Sequence, residues 1–131
     1  MPITSLLFVC IENAGRSQMA EAFAKFYGSE DLKVYSAGSK PSGTINPQAI
    51  DVMRQTGYDL TSHQSKSLSD IPDMEFDAVV TMGCGDECPF IRARQQIEWD
   101  IPDPKERSIE DVRRIRDLIR DRVQELLKSS N

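Results

Sequence analysis

The chain has 131 residues, and its 16 basic and 21 acidic side chains give a formal net charge of −5. This balance argues against nucleic acid as a partner, since proteins that bind it are usually basic, and no apolar run approaches the ~20 residues that span a membrane. The N-terminus lacks the basic region and cleavage site of a secretory signal, so we expect a single cytoplasmic domain over residues 1–131, monomeric by default at this size.

Apolar residues recur with the two periods that distinguish strands from helices. Strand patterns occupy residues 5–10, 32–36, 76–82 and 96–99. Helix patterns occupy residues 16–27, 46–57 and 108–126. The inner face of the first helix is predicted to carry Met19, Ala22, Phe23 and Phe26. Because strands alternate with helices, the sequence predicts an α/β fold with a parallel sheet covered on both faces.

The most informative segment joins the first strand to the first helix. It reads Cys10-Ile11-Glu12-Asn13-Ala14-Gly15-Arg16-Ser17. Backbone N–H groups at a helix N-terminus favour bound anions, and the same field favours a thiolate over a thiol. Arg16 adds a bidentate fork for two oxygens of a tetrahedral anion, and Ser17 can donate a hydrogen bond to the sulfur. We predict an oxyanion-binding loop with Cys10 as nucleophile; the alternative is a buried structural cysteine beside an unrelated arginine.

Two further cysteines follow the third predicted strand. Ligands of parallel α/β folds bind outside the carboxyl ends of the strands, and Cys10 and Cys84 each lie just past such an end. We therefore expect both thiols at the same edge of the sheet. Gly83 and Gly85 flank Cys84 and are expected to permit its approach to Cys10. Cys88 completes a C-x3-C pair, for which the alternatives are inert loop cysteines or part of a zinc site.

The motif Cys10-x5-Arg16-Ser17 at the end of a strand resembles the phosphate-binding loop of low-molecular-weight protein tyrosine phosphatases. The likeness extends, in the family's order, to Val34-Tyr35-Ser36-Ala37-Gly38, Asn46-Pro47-Gln48-Ala49-Ile50 and Asp103-Pro104. This resemblance implies a three-layer αβα fold with a four-stranded parallel sheet. Within the family, the chain is most similar to the arsenate reductases, which carry extra redox cysteines in the loop that Cys84 and Cys88 occupy here.

The resemblance implies that the chain reduces arsenate to arsenite, a detoxification reaction, with phosphate as a substrate analogue. Cys10 would attack arsenic as a thiolate, and Cys84 and Cys88 would form a redox relay that ends in a disulfide. No bound cofactor or metal is implied, but the disulfide requires an external thiol reductant. An internal disulfide favours thioredoxin, with glutaredoxin or a low-molecular-weight thiol as alternatives. The order in which Cys84 and Cys88 act stays open.

Asp103 matches the family's general acid, which protonates the departing oxygen, and Asp100 is the competing candidate. In the phosphatases an aromatic residue typically follows the Asp-Pro pair, whereas Lys105 and Glu106 follow it here. This departure weakens the main alternative function, which is hydrolysis of phosphomonoesters through a Cys10 phosphocysteine. A third alternative is an oxyanion-binding module without catalysis.

A second set of residues is expected to support the loop. Asn13 is expected to hold its shape through side-chain hydrogen bonds. Some relatives bind a potassium ion beside the loop, through residues that match Asn13, Glu21 and Ser36 and through an Asp near Ser65. Lys66 occupies that fourth position here, and we predict that its ammonium group replaces the ion and holds Glu21; the alternative is a solvated surface lysine.

Three residues in or near the loop have less specific roles. Glu12 departs from the small or basic residues of the family; its carboxylate would repel a dianion by about 1 kcal/mol, and we expect it to point to water. Gly15 is expected to permit close approach of the backbone to the anion. His63, the only histidine, either orients the loop or titrates near neutrality; the alternative is a structural or merely exposed histidine.

Overall fold

Four parallel strands form one sheet in the order β2-β1-β3-β4. They are β1 (Ser5–Cys10), β2 (Lys33–Gly38), β3 (Phe76–Met82) and β4 (Ala93–Trp99). The structure is a computed structural model that describes residues 3–83 and 90–129. It confirms the predicted α/β class with a four-stranded parallel sheet. Strand β4 begins three residues earlier than predicted, because Ala93 and Gln95 also pair with β3.

Within the described residues, three α-helices accompany the sheet. They are α1 (Arg16–Tyr27), α2 (Pro47–Arg54) and α3 (Ile109–Ser129). Helix α2 begins where predicted, and the Asn46 side chain caps it by accepting a hydrogen bond from Gln48 N at 2.8 Å. It ends at Arg54, before the predicted end at Gly57. Gly57 instead lies in the following turn, with a φ of 91°.

The sheet is covered on both faces, as predicted, but by different kinds of structure. On one face, Leu6 and Phe8 pack with buried residues from all three α-helices. The opposite face, which includes Leu7 and Val9, packs against the short 3-10 helix Leu68–Asp70 and neighbouring loops. Because side chains alternate along a strand, β1 contributes to both layers, and every residue of it is buried.

The last turn of α1 differs from its prediction. Met19, Ala22 and Phe23 are buried as expected, but Phe26 is 60% exposed. Placing Phe26 in the core was therefore wrong. Residue 26 lies seven positions after Met19, a spacing that drifts by ~20° around a straight helix, and the last turn, residues 25–27, is exposed throughout.

The carboxyl ends of the two central strands meet at one edge of the sheet. Cys10 pairs with Gly38 of β2, and Val9 pairs with Thr81 of β3. The predicted positions of Cys84 and Cys88 lie outside the described residues, so their placement at this edge stays a prediction. In the part of the chain that the structure describes, no helix has the length and apolar character needed to cross a membrane.

Candidate active site

A cavity of about 520 Å³ opens at the carboxyl end of β1. It is lined by the loop between β1 and α1 and by residues from two further segments, 42–48 and 103–106. The structure thereby brings Asp103, which lies far away in the sequence, to the same cavity as Cys10 and Arg16. The competing acid Asp100 is exposed and is not part of the lining.

The first carbonyl oxygens of the loop are already hydrogen-bonded within the protein. N–H groups of the segment 39–42 donate to the carbonyls of Cys10, Ile11 and Glu12 at 2.8–3.2 Å. In a trans peptide the N–H points opposite to the C=O, so the N–H groups that follow these carbonyls point away from the segment 39–42. Together with the N-terminus of α1, this geometry suits a bound oxyanion.

The sulfur of Cys10 is held by a chain of hydrogen bonds. Cys10 is 2% exposed, and its Sγ lies 2.8 Å from Ser17 Oγ. Ser17 accepts from Asn13 Nδ2 at 2.7 Å, so its own hydroxyl proton remains to donate to the sulfur. Asn13 Oδ1 accepts from Lys66 N at 2.8 Å. The φ of Asn13 is 51°, in the left-handed region that Asn tolerates, so the side chain bonds and the backbone conformation act together.

Gln18 links this chain to a second segment of the protein. It is fully buried, and its Nε2 donates to Asn13 Oδ1 at 2.7 Å and to Gln64 O at 2.8 Å. The amide oxygen must therefore accept from His63 Nδ1, 2.9 Å away. Tyr58 Oη lies 2.7 Å from His63 Nε2 and donates to it. A neutral imidazole that carries its proton on Nδ1 satisfies both hydrogen bonds, because Nδ1 donates to Gln18 Oε1 and Nε2 accepts from Tyr58 Oη.

Burial sets the charge state of His63. It lowers the pKa of the imidazole, and the negative charge of Glu21, with its Oε2 3.9 Å from Nδ1, opposes this only in part. His63 is connected to the loop through Gln18, which bonds to His63 on one side and to Asn13 on the other. These contacts are the means by which His63 could orient the loop, and that role stays a prediction.

Glu21 is a buried carboxylate surrounded by cations and donors. Ser36 Oγ donates to it, Lys25 Nζ lies 2.6 Å from Oε2, and Lys66 Nζ lies 3.7 Å from Oε1. Burial alone would raise the pKa of Glu21, but the hydrogen bonds from Lys25 and Ser36 and the charge of Lys66 hold the pKa below its usual value. Both ammonium groups therefore lie beside the Glu21 carboxylate.

Arg16 is buried beneath the segment that carries Ile101 and Asp103. Its Nη1 donates to Ile101 O at 3.1 Å, and its Nη2 lies 3.8 Å from Asp103 Oδ2. Arg16 is 7% exposed, whereas the Asp103 side chain is about half exposed. Asp103 therefore contacts both the Arg16 guanidinium and solvent.

Two loop residues have contacts that the sequence did not indicate. A Cβ at Gly15 would lie 2.8 Å from Pro104 Cγ, so glycine at this position lets Pro104 pack against the loop. The expectation that Glu12 points to water is incomplete, because its Oε2 lies 3.6 Å from Lys105 Nζ. The positive charge of Lys105 partly offsets the repulsion that Glu12 would exert on an anion.

Sequence reasoning missed three residues that contribute to the site, Gln18, Lys25 and Tyr58. The spacing of Glu21 and Lys25, four residues apart on one helix, could have indicated their pairing. Gln18 and Tyr58 carry no such signal, because their partners come from distant parts of the chain. Among residues 3–83 and 90–129, no group of three or more His, Cys, Asp or Glu side chains is placed to hold a metal ion.

Comparison with known proteins agrees with this geometry. A profile of the low molecular weight phosphotyrosine protein phosphatase family matches residues 5–131. A glutaredoxin arsenate reductase from Synechocystis sp. is 34% identical over 125 residues, covering 93% of this chain and 95% of that protein. The solved structure of an arsenate reductase in the phosphate binding state has a TM-score of 0.87 at 30% identity, covering 98% of this chain and 100% of that one. A thioredoxin-dependent arsenate reductase from Corynebacterium glutamicum has a TM-score of 0.79 at 33% identity, covering 98% of this chain and 62% of that one.

Proposed function

The chain belongs to the low molecular weight phosphotyrosine protein phosphatase family, and we propose that within it the chain is an arsenate reductase that depends on thiols. The observation that carries the oxyanion site is the convergence of Cys10, Arg16 and Asp103 on one cavity, and the C-x3-C pair after β3 favours reduction over hydrolysis. Proteins named as arsenate reductases share the fold at 30%, 33% and 34% identity. Arsenate has the shape and charge of phosphate, so a loop built for one tetrahedral oxyanion accepts both.

In the first step the Cys10 thiolate attacks arsenic and an As–S bond forms. Asp103 gives its proton to the departing oxygen, which leaves as water. Arg16 and the backbone N–H groups of residues 11–17 neutralise the oxyanion charge throughout. The buried sulfur and its bond to Ser17 keep the nucleophile in line with the bound anion.

The second step transfers two electrons from thiols to arsenic. Cys84 attacks the sulfur of Cys10, an S–S bond forms, the As–S bond breaks, and its electron pair stays on arsenic as arsenite. Cys88 then attacks Cys84 and releases the Cys10 thiolate, leaving a Cys84–Cys88 disulfide. The support for this relay is the C-x3-C sequence after β3, since both residues lie outside the described part of the chain.

An external thiol must reduce the disulfide before the next turnover. We propose thioredoxin as this partner, because an internal protein disulfide is the substrate of such a reductase. Glutaredoxin and low-molecular-weight thiols are the alternatives, and the names of the relatives include both glutaredoxin and thioredoxin. The same requirement for re-reduction supports a reducing compartment, the cytoplasm.

A single turnover tests the relay. Reduced protein is mixed with arsenate without any reductant, and its peptides are analysed by mass spectrometry. We expect one arsenite per chain and a Cys84–Cys88 disulfide. Cys88→Ser should trap a Cys10–Cys84 bond, and Cys84→Ser should bind arsenate but stop multiple turnovers. Native turnover by Cys84→Ser would contradict the relay, and a trapped Cys10–Cys88 bond in that variant would reverse the order of the two thiols.

The role of Lys66 has its own test. If the ammonium groups of Lys25 and Lys66 take the place of a cation beside Glu21, potassium should not raise the activity. Lys66→Met should make the protein respond to potassium, because it removes the charge 3.7 Å from Glu21. A clear potassium activation of the unmodified protein would reject this assignment.

The alternative function is hydrolysis of phosphomonoesters through a Cys10 phosphocysteine. The cavity of about 520 Å³ favours it, since this volume exceeds the need of an inorganic oxyanion and leaves room for an organic substituent. Rapid release of phosphate from an aryl phosphate, without arsenite formation from arsenate, would favour the phosphatase. A Cys10 that does not react with iodoacetate would instead favour a binding module without catalysis.

A further inference from the structure

The guanidinium of Arg16 is confined by two segments that lie far from it in sequence. From the segment after β4, Ile101 O accepts from Nη1 and Asp103 lies beside Nη2. From the end of β3, the backbone of Gly83 lies directly against Nη1. The side chain is almost fully buried, so it has little room to move away from any of these groups.

Gly83 has no room for a side chain on this side. A Cβ at position 83 would overlap Arg16 Nη1 and would lie 3.3 Å from Ile101 O. Gly83 itself is exposed, so general burial does not require glycine here. Its φ of 78° adds a second requirement, because L-residues with a side chain are strained in that region.

We propose that Gly83 is a positioning residue for oxyanion binding, acting through Arg16. The missing side chain lets the guanidinium lie against the β3 backbone, where it can present two N–H groups to the loop. This inference rests on the oxyanion site proposed above. It gives Gly83 a role different from the mobility that the sequence suggested, since here the glycine holds a neighbouring group in place.

A collision at this position cannot be relieved without changing the anion site. Moving Nη1 away from a new Cβ breaks its bond to Ile101 O or shifts the fork relative to the loop. A bidentate contact depends on both N–H groups remaining aligned with the anion. We therefore expect Gly83→Ala to weaken phosphate binding by about tenfold or more, the effect of losing one charge-assisted hydrogen bond.

Gly57→Ala is the matched control. Gly57 has a φ of 91°, close to that of Gly83, but a Cβ added there would have no other atom within 4 Å. It shares the backbone strain and lacks the collision. Phosphate affinity, measured by calorimetry, should stay within about twofold of the unmodified protein in this variant, because strain alone does not touch Arg16. Arsenate turnover should show a raised KM for Gly83→Ala with a smaller change in kcat.

A stability cycle keeps the inference testable if Gly83→Ala folds poorly. In an Arg16→Ala background the overlap with Nη1 disappears and only the 3.3 Å approach to Ile101 O remains, so adding Gly83→Ala should lower the melting temperature by much less than it does in the unmodified protein and close to the effect of Gly57→Ala. A larger loss in that background, or equal phosphate affinity for Gly83→Ala and Gly57→Ala, would overturn the role of Gly83. Absence of phosphate binding by the unmodified protein would instead reject the proposed oxyanion site, while the stability cycle would still report on the contact.

Discussion

Helices α1 and α3 use their buried faces in different ways. The buried residues of α3 are all apolar. They are Val112, Ile115, Ile119, Val123 and Leu126. Helix α1 instead buries four polar side chains in its first two turns. They are Arg16, Ser17, Gln18 and Glu21.

Each of these polar side chains has partners. Arg16 donates to Ile101, Ser17 bonds to Cys10, and Gln18 reaches Gln64. Buried polar groups are expensive unless they are hydrogen-bonded. The buried face of α3 contains no such groups. Polar burial at the start of α1 therefore indicates that this part of the fold serves chemistry.

The largest contrast should come from one substitution in each environment. Cys10→Ser should abolish arsenite formation, because the hydroxyl is a far weaker nucleophile, yet change the free energy of unfolding by less than about 1 kcal/mol, since volume is nearly conserved. Ile119→Ala should cost about 2–5 kcal/mol of stability through its cavity. Arsenite assays and urea unfolding measure both effects. Two outcomes would contradict this contrast between the catalytic site and the core. One is arsenite formation by Cys10→Ser, and the other is loss of arsenite formation in an Ile119→Ala protein that is still folded.

Gln18→Met tests whether removing a buried polar side chain of α1 lowers stability more than removing an exposed polar side chain of α3. The change keeps the shape and removes the bonds to Asn13, Gln64 and His63, leaving their groups unsatisfied. We expect a loss of about 2–3 kcal/mol in stability and slower arsenate reduction, because Asn13 no longer holds Ser17 against the sulfur. The control is Gln124→Met on the exposed face of α3, which should change stability by less than about 0.5 kcal/mol. Equal effects of the two variants would contradict this account.

The pH dependence of stability should report on the polar contacts of α1, because His63 is bonded to Gln18 on that helix. The folded state lowers the pKa of His63 from its ordinary value of 6.5, so the unfolded chain binds the proton more readily. This contribution is present above pH 6.5 and is lost as the pH falls below it. His63→Gln should therefore flatten the stability curve between pH 7 and 5, as followed by thermal unfolding. An unchanged slope in that interval would exclude His63 as its source.

The smallest effect is expected at the rim of the site. Lys105→Ala leaves the charge of Glu12 uncompensated and should weaken phosphate binding by roughly fivefold, or about 1 kcal/mol. The loss should shrink at high salt, since both side chains are partly exposed. The double variant with Glu12→Ala should recover the affinity. Failure of this recovery would mean that Lys105 acts on the anion directly.

Periodicity and loop chemistry predicted much of this protein. The alternation of strands with helices indicated the parallel sheet, and the segment from Cys10 to Ser17 indicated the strand, loop and helix start that border the cavity. Periodicity could not predict that Gln18 is buried, because a polar residue on an inner face depends on partners contributed by other segments. The contact of Gly83 with Arg16 had no local signal for the same reason. The exposure of Phe26 belongs to the exposed last turn of α1, which the apolar pattern of this helix did not indicate.

The dependence of the loop on distant segments also bears on how the protein is made. Lys66, whose N–H anchors Asn13, follows it by 53 residues, and His63 follows Gln18 by 45. Long-range contacts of this kind form late because the intervening chain must first be closed. During synthesis Cys10 therefore begins as an ordinary, accessible thiol without its hydrogen-bond chain. The accessibility of Cys10 to thiol reagents on a nascent chain should then report when the first half of the sheet has closed around it.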